Sequence, residues 1–124
     1  MVRYQPGQKF DLHHDWYPTL QRLKDGRRFN RIASFFVYLE DDCAEGETYF
    51  PYIETGNLQR IPDERKFHVH EDGGIAFPPI AGNAVFWVNL LANGTGDMRV
   101  MHAGLPVVEG LKTAMNLWPR RYAR

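Results

Sequence analysis

His13 and Asp15 stand two positions apart near the start of the chain, and His102 and Lys112 follow far downstream. Two histidines and one carboxylate can occupy one face of an octahedral iron(II) ion and leave the opposite face open for a co-substrate and oxygen. Imidazole nitrogens with a hard carboxylate oxygen suit iron(II) better than they suit the thiolate sites of structural zinc. Side chains alternate across an extended strand, so His13 and Asp15 project to one side and His14 to the other. The third ligand has to come from a strand near in space and distant in sequence. His102, which closes the run 98–102 just before Gly104, is the candidate. An H-x-D pair alone says little, because such pairs arise often by chance and are ordinarily solvated.

The last predicted strand, residues 112–118, supplies independent information. Lys112, Ala114, Asn116 and Trp118 share one of its faces, and Thr113, Met115 and Leu117 share the other. The apolar residues of both sets call for burial, so a lysine is carried inward among hydrophobic partners. A buried ammonium is costly unless an anion meets it. No acidic residue on a neighbouring strand is fixed by the sequence for that task, and a bound carboxylate would serve. The alternative is a lysine that snorkels to the rim of the sheet. Asn116, on the lysine face, is expected to line the same pocket.

The elements that must position these groups are short strands. Val2–Tyr4 is closed by Pro6-Gly7, and residues 9–14 form a second extended run. Residues 18–23 are predicted as a turn of helix ended by Asp25-Gly26. Residues 31–39 are the strongest strand, apolar on both faces as in a strand buried between two layers, and residues 84–91 are a second buried run. Residues 47–52, 75–77, 98–102 and 112–118 complete the set. About eight short strands with turn residues between them and little helical periodicity predict an antiparallel sandwich or jelly roll. Residues 56–74 are charged and poor in aliphatics, and predict a surface loop acting as a lid.

With 124 residues and 44% hydrophobic content, the chain 1–124 has material for a single domain with one modest core. Lysine plus arginine equal aspartate plus glutamate at 15 each, so no net field favours nucleic acid or an anionic membrane. Lys24, Arg27, Arg28 and Arg31 form a local basic cluster expected to be a solvated surface. The single cysteine, Cys43, excludes an internal disulfide, and its acidic neighbours are expected to raise its pKa and blunt it as a nucleophile. No apolar stretch approaches the roughly 20 residues of a membrane span. The chain is expected to be soluble, in the cytoplasm or, if an upstream signal is missing, in the lumen of the endoplasmic reticulum.

The segments Tyr4-Gln5-Pro6-Gly7, His13-His14-Asp15, Gly46-Glu47-Thr48-Tyr49-Phe50-Pro51 and His102-Ala103-Gly104-Leu105-Pro106-Val107, followed by Gly110, Lys112, Asn116 and Trp118, resemble the catalytic domain of prolyl 4-hydroxylases. The resemblance runs over nearly the whole chain, with the motifs in the family's order and spacing. It implies the double-stranded β-helix of the iron(II)- and 2-oxoglutarate-dependent dioxygenases. By that resemblance, His13, Asp15 and His102 are the iron ligands and Lys112 pairs with the distal carboxylate of 2-oxoglutarate. Tyr4 and Tyr38 match tyrosines that reach the co-substrate, and Thr48 and Trp118 match pocket-lining positions. The implied reaction is hydroxylation of an aliphatic carbon, with a peptidyl proline or a small molecule as substrate, dioxygen as oxidant and L-ascorbate as rescuing reductant.

Relatives ordinarily carry helices and strands ahead of the segment matching Tyr4, so the family's N-terminal supporting helices are expected to be missing and one apolar sheet face open. Two rival readings stand beside the enzyme. A non-catalytic module would bind metal or peptide without turnover. A cupin-like site is suggested by His68-Val69-His70, although Glu71 follows His70 directly, where that pattern needs a glutamate several residues later.

Overall fold

A computed structural model describes residues 1–56 and 66–123. Its strands are, in chain order, β1 (Val2–Tyr4), β2 (Phe10–His13), β3 (Gln21–Arg22), β4 (Arg28–Arg31), β5 (Ala33–Glu40), β6 (Cys43–Glu45), β7 (Thr48–Phe50), β8 (His68–Val69), β9 (Ile75–Phe77), β10 (Ala84–Val88), β11 (His102–Gly104), β12 (Val107–Gly110), β13 (Lys112–Leu117) and β14 (Arg120–Tyr122). A four-stranded sheet has the order β1-β13-β5-β10, and a five-stranded sheet has the order β2-β11-β7-β9-β8. Every pairing is antiparallel, and the fold is the expected double-stranded β-helix or jelly roll. Smaller groups, β12-β6 and β14-β4-β3, close the ends.

The core lies between the two large sheets because both turn apolar side chains inward. Tyr38, Val85, Trp87 and Ala114 come from the four-stranded sheet, and Phe50 reaches them from the five-stranded one, its ring 5.0 Å from that of Trp87. The edge-to-face geometry of that pair adds to the burial of two large rings. Trp16, Leu90 and Val100 extend the cluster from the connecting segments.

Four expectations are corrected. Residues 18–23 form no helical turn: Gln21 and Arg22 pair with Phe29 and Arg28 as a hairpin. Asp25 bonds the Arg27 amide at 3.0 Å and Gly26 takes a φ of +87°, so turn chemistry prevails over the weak helical pattern. Residues 98–102 are no continuous strand either. Met98–Val100 is a 3-10 turn whose N-cap, Asp97, accepts from the Arg99 amide, and His102 opens β11 instead of closing a strand. The 56–74 segment is only partly a loop, since β8 pairs with β9; residues 57–65 of the proposed lid lie outside the described residues. Finally, β5 and β10 are buried on one face only.

Phe35 and Phe86, paired across those strands with rings 4.6 Å apart, remain 37% and 54% exposed, and Val88 and Leu117 extend the same apolar outer face. Nothing among the described residues packs over it, so the alternation typical of a half-solvated antiparallel sheet wins over the two-sided pattern. No α-helix occurs among the described residues, and no helix is long and apolar enough to cross a membrane.

Candidate functional site

His13 and His102 are direct partners across β2 and β11, and their ring centroids lie 4.2 Å apart. Asp15 follows β2 after one intervening residue, and its Oδ1 lies 3.6 Å from His13 Nε2 and 3.3 Å from His102 Nε2. One ligand atom from each of the three fits within 4.8 Å of the others, and among the described residues no other group of histidine, cysteine or acidic side chains does so. Both rings are keyed the same way. His13 Nδ1 donates to the Asp11 carbonyl at 2.7 Å and His102 Nδ1 to the Val100 carbonyl at 2.9 Å. A carbonyl only accepts, so each Nδ1 carries a proton, and in the neutral ring each Nε2 keeps its lone pair for a metal. This donor set fits a divalent transition metal and has the outer-shell keying that histidine ligands need.

Burial of Asp15 works against its charge, but the hydrogen bond and charge of a protonated His102, with hydrogen bonds from Ser34 and Trp118, outweigh it, and the carboxyl pKa is lowered to about 2. His13 is shifted down, chiefly by burial, with its Asp11 bond opposing. Asp15 therefore stays ionised and His13 favours its neutral form, the one able to bind a metal. Phe50 and Trp87 pack against the His102 ring at 5.4 and 4.7 Å, and Phe10 packs against His13 at 4.1 Å.

His13, Asp15, His102 and Phe10 line a cavity of about 420 Å³ whose wall also carries Lys112, Tyr4, Thr48, Asn116 and Trp118. Lys112 does point inward: it is 1% exposed. Its Nζ donates to the Gly46 carbonyl at 2.7 Å and lies 4.6 Å from the centroid of the Tyr4 ring, the residue opposite it on β1. Among the described residues no carboxylate lies within ion-pair distance of it, and burial lowers its pKa to about 8, with Cys43 and Glu47 opposing. Gly46 has room only for hydrogen here. Its φ is +83°, and a Cβ would sit 3.0 Å from Val107 Cγ2 and 3.3 Å from Lys112 Cδ.

Tyr38 stands behind this wall. Its hydroxyl bonds Thr48 Oγ1 at 2.6 Å and the Phe77 carbonyl at 3.2 Å, and burial, only partly offset by the Thr48 bond, raises its pKa. The single phenol proton serves one acceptor at a time. When Tyr38 donates to Phe77, Thr48 donates to Tyr38 and turns its lone pairs to the cavity.

Three participants escaped the sequence reading. Arg31 belongs to the wall and not to a solvated patch, with its guanidinium 3.6 Å from the Trp118 ring and 4.7 Å from that of Tyr17. Ser34 and Asn89 are buried behind Asp15. Only Arg31 had a signal, as the one member of its basic cluster that opens a predicted strand. His14, predicted to point away, reaches the rim, where it stacks on Trp16 at 4.2 Å. His68 and His70 lie elsewhere, His70 against Tyr49, and among the described residues they belong to no metal-binding group. Cys43 has the expected raised pKa, but burial is the first cause and the acidic neighbours add to it.

Comparison with known proteins bears on this geometry. The family profile described as the 2OG-Fe(II) oxygenase superfamily matches residues 1–120. The chain is 33% identical over 123 residues to Prolyl 4-hydroxylase 1 of Arabidopsis thaliana, covering 99% of this chain and 40% of that protein. To Probable prolyl 4-hydroxylase 9 of the same plant it is 34% identical over 121 residues, 97% of this chain and 39% of the other. The viral collagen prolyl hydroxylase of Paramecium Bursaria Chlorella virus-1, in its 2OG complex, superposes with a TM-score of 0.67 at 26% identity, over 95% of this chain and 54% of that one. The chain thus spans about 40% of the length of these curated relatives. With the profile matched almost end to end and a His-Asp-His cluster sharing one cavity with a buried lysine, the chain belongs to the 2OG-Fe(II) oxygenase superfamily.

Proposed function

We propose that the chain is an iron(II)- and 2-oxoglutarate-dependent dioxygenase that hydroxylates an aliphatic carbon, with a peptidyl proline as its substrate. The observation that carries this reading is the sharing of one cavity by a three-donor cluster and a buried ammonium without a carboxylate partner. The names of the relatives support proline as the acceptor residue. His13 Nε2, Asp15 Oδ1 and His102 Nε2 would hold iron(II). That metal supplies, with the keto acid and dioxygen, the oxidising power to hydroxylate an unactivated carbon while the keto acid is decarboxylated to succinate.

The protein's own part is binding, orientation and exclusion of water. The Lys112 ammonium anchors the distal carboxylate of 2-oxoglutarate and selects a five-carbon diacid by length. Charge-assisted pairing there replaces the single bond to Gly46 and relieves the buried cation. Tyr4 and Thr48 offer hydroxyls to the same carboxylate, with Tyr38 acting through Thr48. Asn116 and Trp118 shape the wall between lysine and metal, and Phe10 and Phe36 keep it dry. L-Ascorbate would restore iron oxidised in turnover that fails to reach a substrate.

Succinate release from 2-oxoglutarate with iron(II), together with a mass search for one added oxygen on proline-containing peptides, tests the proposal. Turnover that depends on the keto acid is the expected result. A folded, metal-binding sample that neither decarboxylates the keto acid nor modifies any peptide would instead be a binding module.

A further inference from the structure

We infer that Ser34, oriented by Asn89, is a positioning residue that holds Asp15 so that a single carboxylate oxygen faces the metal. This rests on the reading of His13, Asp15 and His102 as metal ligands. Ser34 and Asn89 are both 0% exposed, and neither lines the cavity. Burial of two polar side chains in a β-sandwich core is costly unless their hydrogen bonds are made, so their partners identify their task.

Ser34 Oγ lies 2.6 Å from Asp15 Oδ2, and Asn89 Nδ2 lies 3.0 Å from Ser34 Oγ. The directions follow from the inventory of donors. An ionised carboxylate only accepts, so the one hydroxyl proton is committed to Oδ2, and Ser34 must accept from the Asn89 amide. The Trp118 indole N–H adds a second donor to the same oxygen at 3.3 Å. Oδ2 is thereby occupied, and Oδ1 is the atom left facing both histidine Nε2 atoms.

Asn89 is itself fastened by its backbone: its amide donates to the Ile32 carbonyl at 2.8 Å, and its carbonyl accepts from the Asp97 amide at 2.8 Å. The Asn89 end of the relay is thus tied both to the segment before β5 and to the turn that leads into His102. Among the described residues Asn89 Oδ1 has no hydrogen-bond partner, a burial cost set against the bond its Nδ2 makes to Ser34.

The chemical consequence is a count of open positions. A carboxylate that binds through one oxygen leaves three of the six octahedral positions free, which a chelating keto acid and dioxygen both need. Binding through two oxygens would leave only two.

Cobalt(II) titration of the full chain, followed by its visible absorption, tests the inference without turnover. Ser34→Ala is expected to weaken cobalt(II) binding about 10- to 100-fold and to change band position and intensity, as loss of an outer-shell partner does. Ser34→Thr, which keeps the hydroxyl, should retain both, and Asn89→Ala should shift them in the same direction as Ser34→Ala. Should Ser34→Ala fail to fold, the Asn89→Ala and Ser34→Thr pair carries the same comparison. Wild-type affinity and spectrum in Ser34→Ala, or equal loss in Ser34→Thr, would overturn the inference. If wild type binds no cobalt(II), or binds it as well in His102→Ala, the metal reading fails too, which separates the two failures.

Discussion

His13 and His102, 89 positions apart in sequence, are direct Cα partners across two antiparallel strands, and each fixes its Nδ1 on the carbonyl of the residue two places before it. That repeated local device turns both Nε2 atoms to one point without any flexible connection. Replacement of either histidine by alanine should therefore abolish thermal stabilisation by manganese(II), with metal affinity down by more than about 100-fold, since a ligand costs more than an outer-shell partner. The metal-free melting temperature of His13→Ala should change little, because that ring is half-exposed. A thermal-shift series with and without metal checks both.

Lys112 separates stability from co-substrate binding. The lowering of its pKa from 10.5 to about 8 corresponds to roughly 3 kcal/mol of destabilisation at neutral pH. Against this, loss of the bond to the Gly46 carbonyl in Lys112→Met costs about 1–2 kcal/mol. The variant should be as stable as wild type or more so in urea unfolding, and should lose the extra thermal shift that 2-oxoglutarate adds to manganese(II).

The same group sets a pH dependence. Between pH 8 and 10.5 the unfolded chain holds a lysine proton that the folded chain has released, so this residue's contribution makes stability rise with pH across that window. On the proposed reading, binding of the keto acid runs the other way, because its distal carboxylate pairs with the ammonium. Affinity for 2-oxoglutarate should be flat below about pH 8 and fall about tenfold per unit above it. Calorimetric titration of manganese(II)-loaded protein reads this slope, and Lys112→Met should show none.

Tyr38→Phe removes a hydroxyl that serves Thr48 and Phe77 together. We expect a loss of about 1–3 kcal/mol in stability from the partners left buried. Weaker 2-oxoglutarate binding should accompany it, with manganese(II) affinity unchanged. Thr48→Val should match its effect on 2-oxoglutarate if Tyr38 acts through Thr48, whereas a much larger effect of Tyr38→Phe would mean direct contact.

What could be read from residues alone was whatever depends on period two and on short-range chemistry. Alternation predicted His13 beside Asp15, although Asp15 stands just past the end of β2 and His14 reaches the same cavity, and it put Lys112 on the face of Ala114 and Asn116. The cost of burying an ammonium then called for an anion before any geometry was known. Local competition was harder to read. Asp97 capping Arg99 turned an expected strand into a 3-10 turn, and Asp25-Gly26 turned an expected helical turn into a hairpin.

Only the tertiary structure decided that Ser34 and Asn89, ordinary residues 55 positions apart, stand behind Asp15, that the Tyr38 hydroxyl bonds Thr48, and that Arg31 lies against Trp118. It also left the outer faces of β5 and β10 open. These relations depend on strand register and sheet order, which arise from the summed packing of the whole core and leave no pattern within any single segment.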